Sequence, residues 1–334
     1  MFRYLLFRLG WMFFVVLGVV TLTFFIARVI PADPARLAAG LNAGPEQVEE
    51  VRRSLGLDQP VYVQYGRYLV GLAHFDLGRS IQTRQPIWND IRQFLPATLE
   101  LTLVAFLIYA VLGITLGVLW AVRPNSPIAW MGRGASVLGV AIPIFWIGLV
   151  FQLVFGTYLN WLPVAGRLEL SATPPPFVTG LYTVDSLLAG NIPLFMDSVR
   201  HLILPVAALV LSLLAVATRM TQSTVRAEMS RTYVQTARSK GLSERVILGR
   251  HVMKNAMNPI LTMLGLQFGW LLGGTILVEA VFSWPGIGLY AFESFKTFDY
   301  APIQALALII TFTFVMVNLV IDLIYPILDP RLRQ

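Results

Sequence analysis

Between Leu101 and Val122 the chain runs 22 residues without a charged side chain. A helix rises about 1.5 Å per residue, so a run of this length crosses the roughly 30 Å hydrocarbon core of a bilayer. Five more apolar stretches recur along the chain: 11–30, 135–159, 201–217, 260–282 and 303–328. They are continuous rather than alternating, which argues against a membrane β-barrel. The expectation is an all-α polytopic membrane protein with six transmembrane helices. Composition agrees, because 56% of the 334 residues are hydrophobic and 13% are charged, against about 25% charged in a soluble protein.

Arg3 and Arg8 precede the first apolar stretch, as in a signal peptide. That stretch is roughly 19 residues, beyond the 7–15 of a signal core, and no small-x-small cleavage site follows. It is read as the first spanning helix. With the N-terminus inside, the inner segments 1–10, 123–134, 219–258 and 327–334 carry 14 Lys and Arg in 70 residues. The outer segments carry 11 in 130 residues. Basic residues are retained on the cytoplasmic side, so the reading is N-in/C-in. The same rule accounts for the net charge of +7 without nucleic acid.

The expected organisation is a cytoplasmic N-terminus and first helix (1–30), a periplasmic cap region (31–95), a transmembrane domain of five helices (96–326) and a cytoplasmic tail (327–334). In the cap, Pro45–Leu55 reads as a helix stopped by Gly56, and Val61–Ala73 as another with Tyr62, Tyr65 and Tyr68 on one face. The outer segment 283–302 opens with Trp284-Pro285-Gly286, a tight turn with Trp284 expected at the membrane interface.

No catalytic constellation is present. The phosphate-cradling GxxxxGK[ST] loop is missing, so any nucleotide acts on another chain. With no cysteine and three histidines far apart (His74, His201, His251), no metal site is expected. Gly265, Gly269 and Gly273 fall at i, i+4 and i+8 and read as a flat packing face, as do Gly113 and Gly117. Glu100, Glu279 and Asp322 are expected near helix ends, within reach of water. A stand-alone proton-coupled transporter is the alternative reading, but it would want such carboxylates near the membrane midplane.

The polar passage 219–258 is longer than a connection between two helices needs. Gly241 breaks it into two helices with a corner, and Ser243 suits the N-cap of the second. Tyr233, Ala237 and Lys240 recur at i, i+4 and i+7. Arg238 and Lys240 end the first helix, where they suit its dipole. Small Ala237 is expected to let a partner approach closely, so the passage reads as a docking surface.

Thr232-Tyr233-Val234-Gln235-Thr236-Ala237-Arg238-Ser239-Lys240-Gly241-Leu242, followed by Arg250-His251 and Asn255-Ala256-Met257-Asn258-Pro259, resembles the coupling loop of ABC-importer permeases of the dipeptide/oligopeptide/nickel family. Gly56-Leu57-Asp58-Gln59-Pro60, Asp76-Leu77-Gly78, Pro96-Ala97-Thr98-Leu99-Glu100-Leu101, Phe282 to Gly288, Asp299-Tyr300 and Asp329-Pro330-Arg331 extend the likeness to that family's B-type, dipeptide-permease-like subunit. The general importer pattern opens Glu-Ala-Ala where this chain has Gln235-Thr236-Ala237. The resemblance implies a type I ABC importer permease architecture in a bacterial inner membrane. It implies a homologous second permease subunit, two cytoplasmic ATPase subunits carrying ATP and Mg, and a periplasmic substrate-binding protein. No cofactor is expected on this chain. The coupling residues would be Tyr233, Ala237, Arg238, Lys240, Gly241 and Leu242. Dipeptides are the implied cargo, with oligopeptides, glutathione and nickel chelates as alternatives.

Overall fold

The computed structural model describes residues 2–29, 34–40, 43–127, 129, 132, 134 and 142–328. Helices dominate: α1 (Phe2–Val29), α2 (Pro34–Ala39), α3 (Pro45–Ser54), α4 (Val61–Ala73), α5 (Ile87–Val122), α6 (Ile144–Tyr158), α7 (Tyr182–Leu188), α8 (Ile192–Met229), α9 (Thr232–Ser239), α10 (Glu244–Val281), α11 (Ile287–Lys296) and α12 (Tyr300–Leu328). Among the described residues there is no strand, only an isolated bridge between Arg79 and Pro86. Five helices, namely α1, α5, α8, α10 and α12, hold apolar stretches long enough to cross a membrane. Helix α6 is a shorter apolar helix. The expected start of its span, 135–141, lies outside the described residues.

The chain forms two compact units. One comprises Ala97 to Trp284 with the part of α12 from Phe314 onward. Its core centres on α8, where Leu202, Leu204, Val206, Ala208, Leu209 and Val210 are all buried. The helix is longer than the apolar run 201–217 suggests. Its N-cap Asn191 accepts the Leu194 amide at 3.1 Å, Pro193 sits in the first turn, and Thr218, Thr221 and Val225 remain buried near the other end. Close approach of α5 explains this. A Cβ at Gly113 would clash with the Ala217 methyl, and one at Gly117 would lie 2.8 Å from the Thr218 carbonyl.

The expected glycine face on α10 is only partly used within the chain. Side chains of Ile321 and Phe314 occupy the space over Gly265 and Gly269, whereas nothing lies within 4 Å of a Cβ at Gly273. Trp284 is not an interfacial anchor. It is 1% exposed and donates Nε1–H to the Ala97 carbonyl at 2.9 Å. The turn around Ser283 (φ +47) swings the ring inward.

The other unit comprises Phe2 to Pro96 with Pro285 to Thr313. Helix α3 ends at a Gly56 of φ +64, and α4 lies against α1. The tyrosine stripe of α4 splits: Tyr68 stacks on Phe24 and Tyr65 packs tilted against it, while Tyr62 is exposed. Tyr65 also hydrogen-bonds Thr21 at 2.6 Å. Burial pushes the Tyr68 hydroxyl up to about 12. Asp299 is buried and accepts from the Ser80 hydroxyl and the Ile81 and Gln82 amides. These bonds tie the turn before α5 to the start of α12.

Candidate functional site

The polar passage folds as a corner standing on three helices. Helix α8 ends at Met229, and Glu228 in its last turn accepts the Tyr233 hydroxyl at 2.8 Å. Burial raises the Tyr233 pKa above its ordinary value. Glu228 adds in the same direction, and Asn255 partly opposes it. Helix α9 follows and buries Val234 and Ala237, one turn apart. Gly241 has φ +77, the left-handed region in which a Cβ is strained. Its amide donates to the Arg238 carbonyl at 2.9 Å, and the Leu242 amide donates to that of Ala237 at 3.3 Å. This pair of bonds is the Schellman stop of a helix.

Across the corner, Arg238 grips Glu244 with two bonds, Nε–Oε1 at 2.7 Å and Nη2–Oε2 at 3.1 Å. The hydrogen bond raises the Arg238 pKa and lowers that of Glu244. Ser243 occupies the N-cap of α10, but its side chain makes no cap bond. Ile247 and Val252 anchor the first turns of α10 inside the chain. Residues 247–252 form a π-helical turn, and the helix then continues to Val281. The corner is therefore built into the start of a membrane helix.

The residues singled out in sequence divide by direction. Arg238, Lys240, Gly241 and Leu242 are exposed on the corner, Tyr233 is half-buried, and Ala237 is buried at 6% exposure. Ala237 is thus corrected: its small side chain packs against the chain's own core and is not offered to a partner. The outward face of α9 is Gln235, Thr236, Arg238 and Ser239, continued by Lys240 and Leu242. Sequence reasoning missed Glu228 and Glu244 as braces. The six-residue step from Arg238 to Glu244 matches no helical spacing, and only the corner brings them together.

The expectation for the apolar region's carboxylates also needs correcting. Glu100 is 3% exposed and meets Arg167 at 2.6 Å. Glu279 is fully buried and accepts the Thr98 hydroxyl at 2.6 Å. Neither reaches water, because a segment far away in sequence folds over each. Asp322 is half-buried. Among the described residues no three His, Cys, Asp or Glu side chains stand together as metal ligands.

Residues 113–334 match the family described as binding-protein-dependent transport system inner membrane component, and residues 1–102 match the N-terminal region of such membrane components. The chain belongs to this family. The permease is 42% identical over 320 residues to the probable D,D-dipeptide transport system permease protein DdpB of Escherichia coli K12, covering 96% of this chain and 94% of that protein. It is 40% identical over 319 residues to the dipeptide transport system permease protein DppB of Alkalihalophilus pseudofirmus, covering 96% of each. It is 36% identical over 339 residues to DppB of Escherichia coli K12, covering 100% of this chain and 99% of that protein. Among solved structures, a chain of the inward-facing MetNI methionine ABC transporter superposes with a TM-score of 0.53 at 14% identity. It covers 73% of the permease and 99% of that chain, and it shows a shared ABC-permease fold. The permease is a multi-pass membrane protein whose relatives are named as transport system permease proteins.

Proposed function

We propose that this permease subunit of an ATP-driven importer carries dipeptides, or related small peptides, across a bacterial inner membrane. Near full-length likeness to dipeptide permeases is the observation that carries the substrate reading. In this reading the permease pairs with a homologous second permease. Two ATPase subunits bind and hydrolyse ATP with Mg on the inner side, and a substrate-binding protein delivers peptide from outside. The N-in/C-in orientation puts the Gly241 corner in the cytoplasm, facing the ATPases.

Three residue-level features support coupling there. The corner is exposed, it is anchored by Val234, Ala237 and Ile247, and it is continuous with α10. A push on the exposed face of α9 therefore moves α10 as a body and is not absorbed by loose loop. Linkage requires the converse, that docking of the loaded binding protein is felt at the ATPases.

Reconstitution tests the reading. Proteoliposomes holding both permeases and the ATPases, supplied with binding protein and ATP, should accumulate dipeptide. Omitting the ATPases should abolish uptake. Uptake by this chain alone under a proton gradient would overturn the assignment.

A further inference from the structure

Helices α1, α4 and α12 leave an apolar recess of about 460 Å³ between them, within the roughly 300–1,000 Å³ of small-ligand sites. Val16, Leu17 and Val20 of α1, Leu72 of α4 and Ile309 of α12 form its walls, with Val20 only 3% exposed. The exposed rings of Phe13, Phe75, Trp88 and Phe312 also line it. Among the described residues, the Trp88 indole nitrogen is the one polar side-chain atom in this lining. Water gains no partners in such a space, so apolar cavities stay dry, and an empty one forfeits the dispersion contacts of its walls. The fitting occupant is therefore apolar.

Depth decides where that occupant comes from. The α1 walls lie inside the apolar span Gly10–Ala27, and Leu308, Ile309 and Phe312 lie inside Tyr300–Leu323. The recess thus stands where bilayer hydrocarbon reaches it. It follows α1 from Phe13 to Val20, about 10 Å at 1.5 Å per residue, so it is elongated as a lipid chain is. Trp88, with an apolar ring and one N–H, suits the headgroup end.

Phe75 supplies an independent sign. Its amide donates to the Leu72 carbonyl at 3.0 Å, and the Asp76 amide donates to that of Gly71 at 2.8 Å. Phe75 therefore holds the place in a Schellman stop where glycine is usual. It has φ +59 and is 82% exposed. A bulky side chain is strained in that region, and a phenyl ring is unfavourable in water. Hydrocarbon around the ring removes the second cost and offsets the first. We propose that the recess holds one acyl chain of a bilayer phospholipid, and that Phe75 and Trp88 fasten the end of α4 into the outer leaflet beside it. The end of α4 then rests in the leaflet rather than in water, and the lipid fills the gap that the three helices leave.

The test labels membrane vesicles holding the full chain with a phosphatidylethanolamine whose acyl chain carries a diazirine, and maps the adducts by mass spectrometry. Peptides spanning 13–20 and 308–312 should be labelled roughly tenfold over the exposed α5 face of Leu103, Leu107 and Val111, the preference that about ten extra close carbon contacts confer. Ala73 is exposed and lines the recess, so Ala73→Trp fills the space without entering a packed core. It should bring both peptides down to the α5 level. Phe75→Gly relieves the left-handed turn while removing the ring. It should leave the thermal midpoint of delipidated permease unchanged or raised, and still lower the labelling severalfold. Wild-type labelling at the α5 level, or labelling that neither variant changes, overturns the site, because an ordinary lipid-facing surface behaves in that way. Labelling below the α5 level would assign the recess to a protein partner and equally overturn it.

Discussion

Glu100 is the residue on which the segment after α6 is hung. One carboxylate oxygen meets Arg167, and the other accepts the amide and hydroxyl of Thr183, each at 2.7 Å. Arg167 also stacks on Tyr182, 3.5 Å from the ring centre. Removing one partner of a buried pair leaves an unmatched charge and costs about 3–5 kcal/mol, whereas removing both charges can be nearly neutral. Arg167→Met should therefore lower the thermal midpoint in detergent sharply, and adding Glu100→Gln should recover most of the loss. Equal midpoints for the single and double variants would refute the ion-pair account. Asp185 is a second buried anchor, 1% exposed, with its oxygens facing the Val178, Thr179 and Gly180 amides and the Thr179 hydroxyl. Burial pushes its pKa up, but the hydrogen bonds outweigh burial and hold it below 3.8. A depressed carboxylate contributes its stability above the unfolded value and loses it as pH falls through the folded value. Asp185→Asn should thus cost about 1–3 kcal/mol at neutral pH. Its midpoint deficit should hold steady down to pH 5 and shrink as pH falls below 3.8.

At the scale of elements, the sequence marks which helices are close-packed but not what they pack against. Glycine spacing identified the faces of α5 and α10, yet only the folded chain matches Gly113 with Ala217 on α8 and leaves Gly273 open. Hydropathy likewise found the apolar middle of α8 and missed its ends, whose buried Thr218 and Thr221 read as polar. These pairings predict a swap. Gly113→Ala places a methyl where the Ala217 methyl already sits, and overpacking of this kind costs about 1–3 kcal/mol. Gly113→Ala with Ala217→Gly should restore most of that in thermal unfolding. Gly273→Ala should instead be neutral or stabilising, since alanine is favoured over glycine in a helix by about 0.5–1 kcal/mol. Loss of stability in the swap equal to that of the single variant would place the α5–α8 contact elsewhere.

For the whole molecule, the membrane class and the corner were legible because both rest on local signals, namely uncharged runs and a glycine among helix formers. The orientation of α9 was not, because which side of a short helix faces its own chain depends on α10 folding back against it. That is why Ala237 was read outward while its side chain is buried. Under the proposed coupling role, Gly241 is the position most exposed to a single change. Proline there would need φ near −65°, against the observed +77°, and would remove the amide that bonds the Arg238 carbonyl. Nothing lies within 4 Å of a Cβ at Gly241, so the damage should stay at the corner and leave the membrane helices in place. Gly241→Ala keeps the amide and bears only the left-handed strain, about 1–2 kcal/mol. Gly241→Pro should therefore reach the membrane at wild-type levels and support no peptide uptake, with Gly241→Ala intermediate. Undiminished uptake and ATPase association in the proline variant would show that force enters the permease somewhere other than this corner.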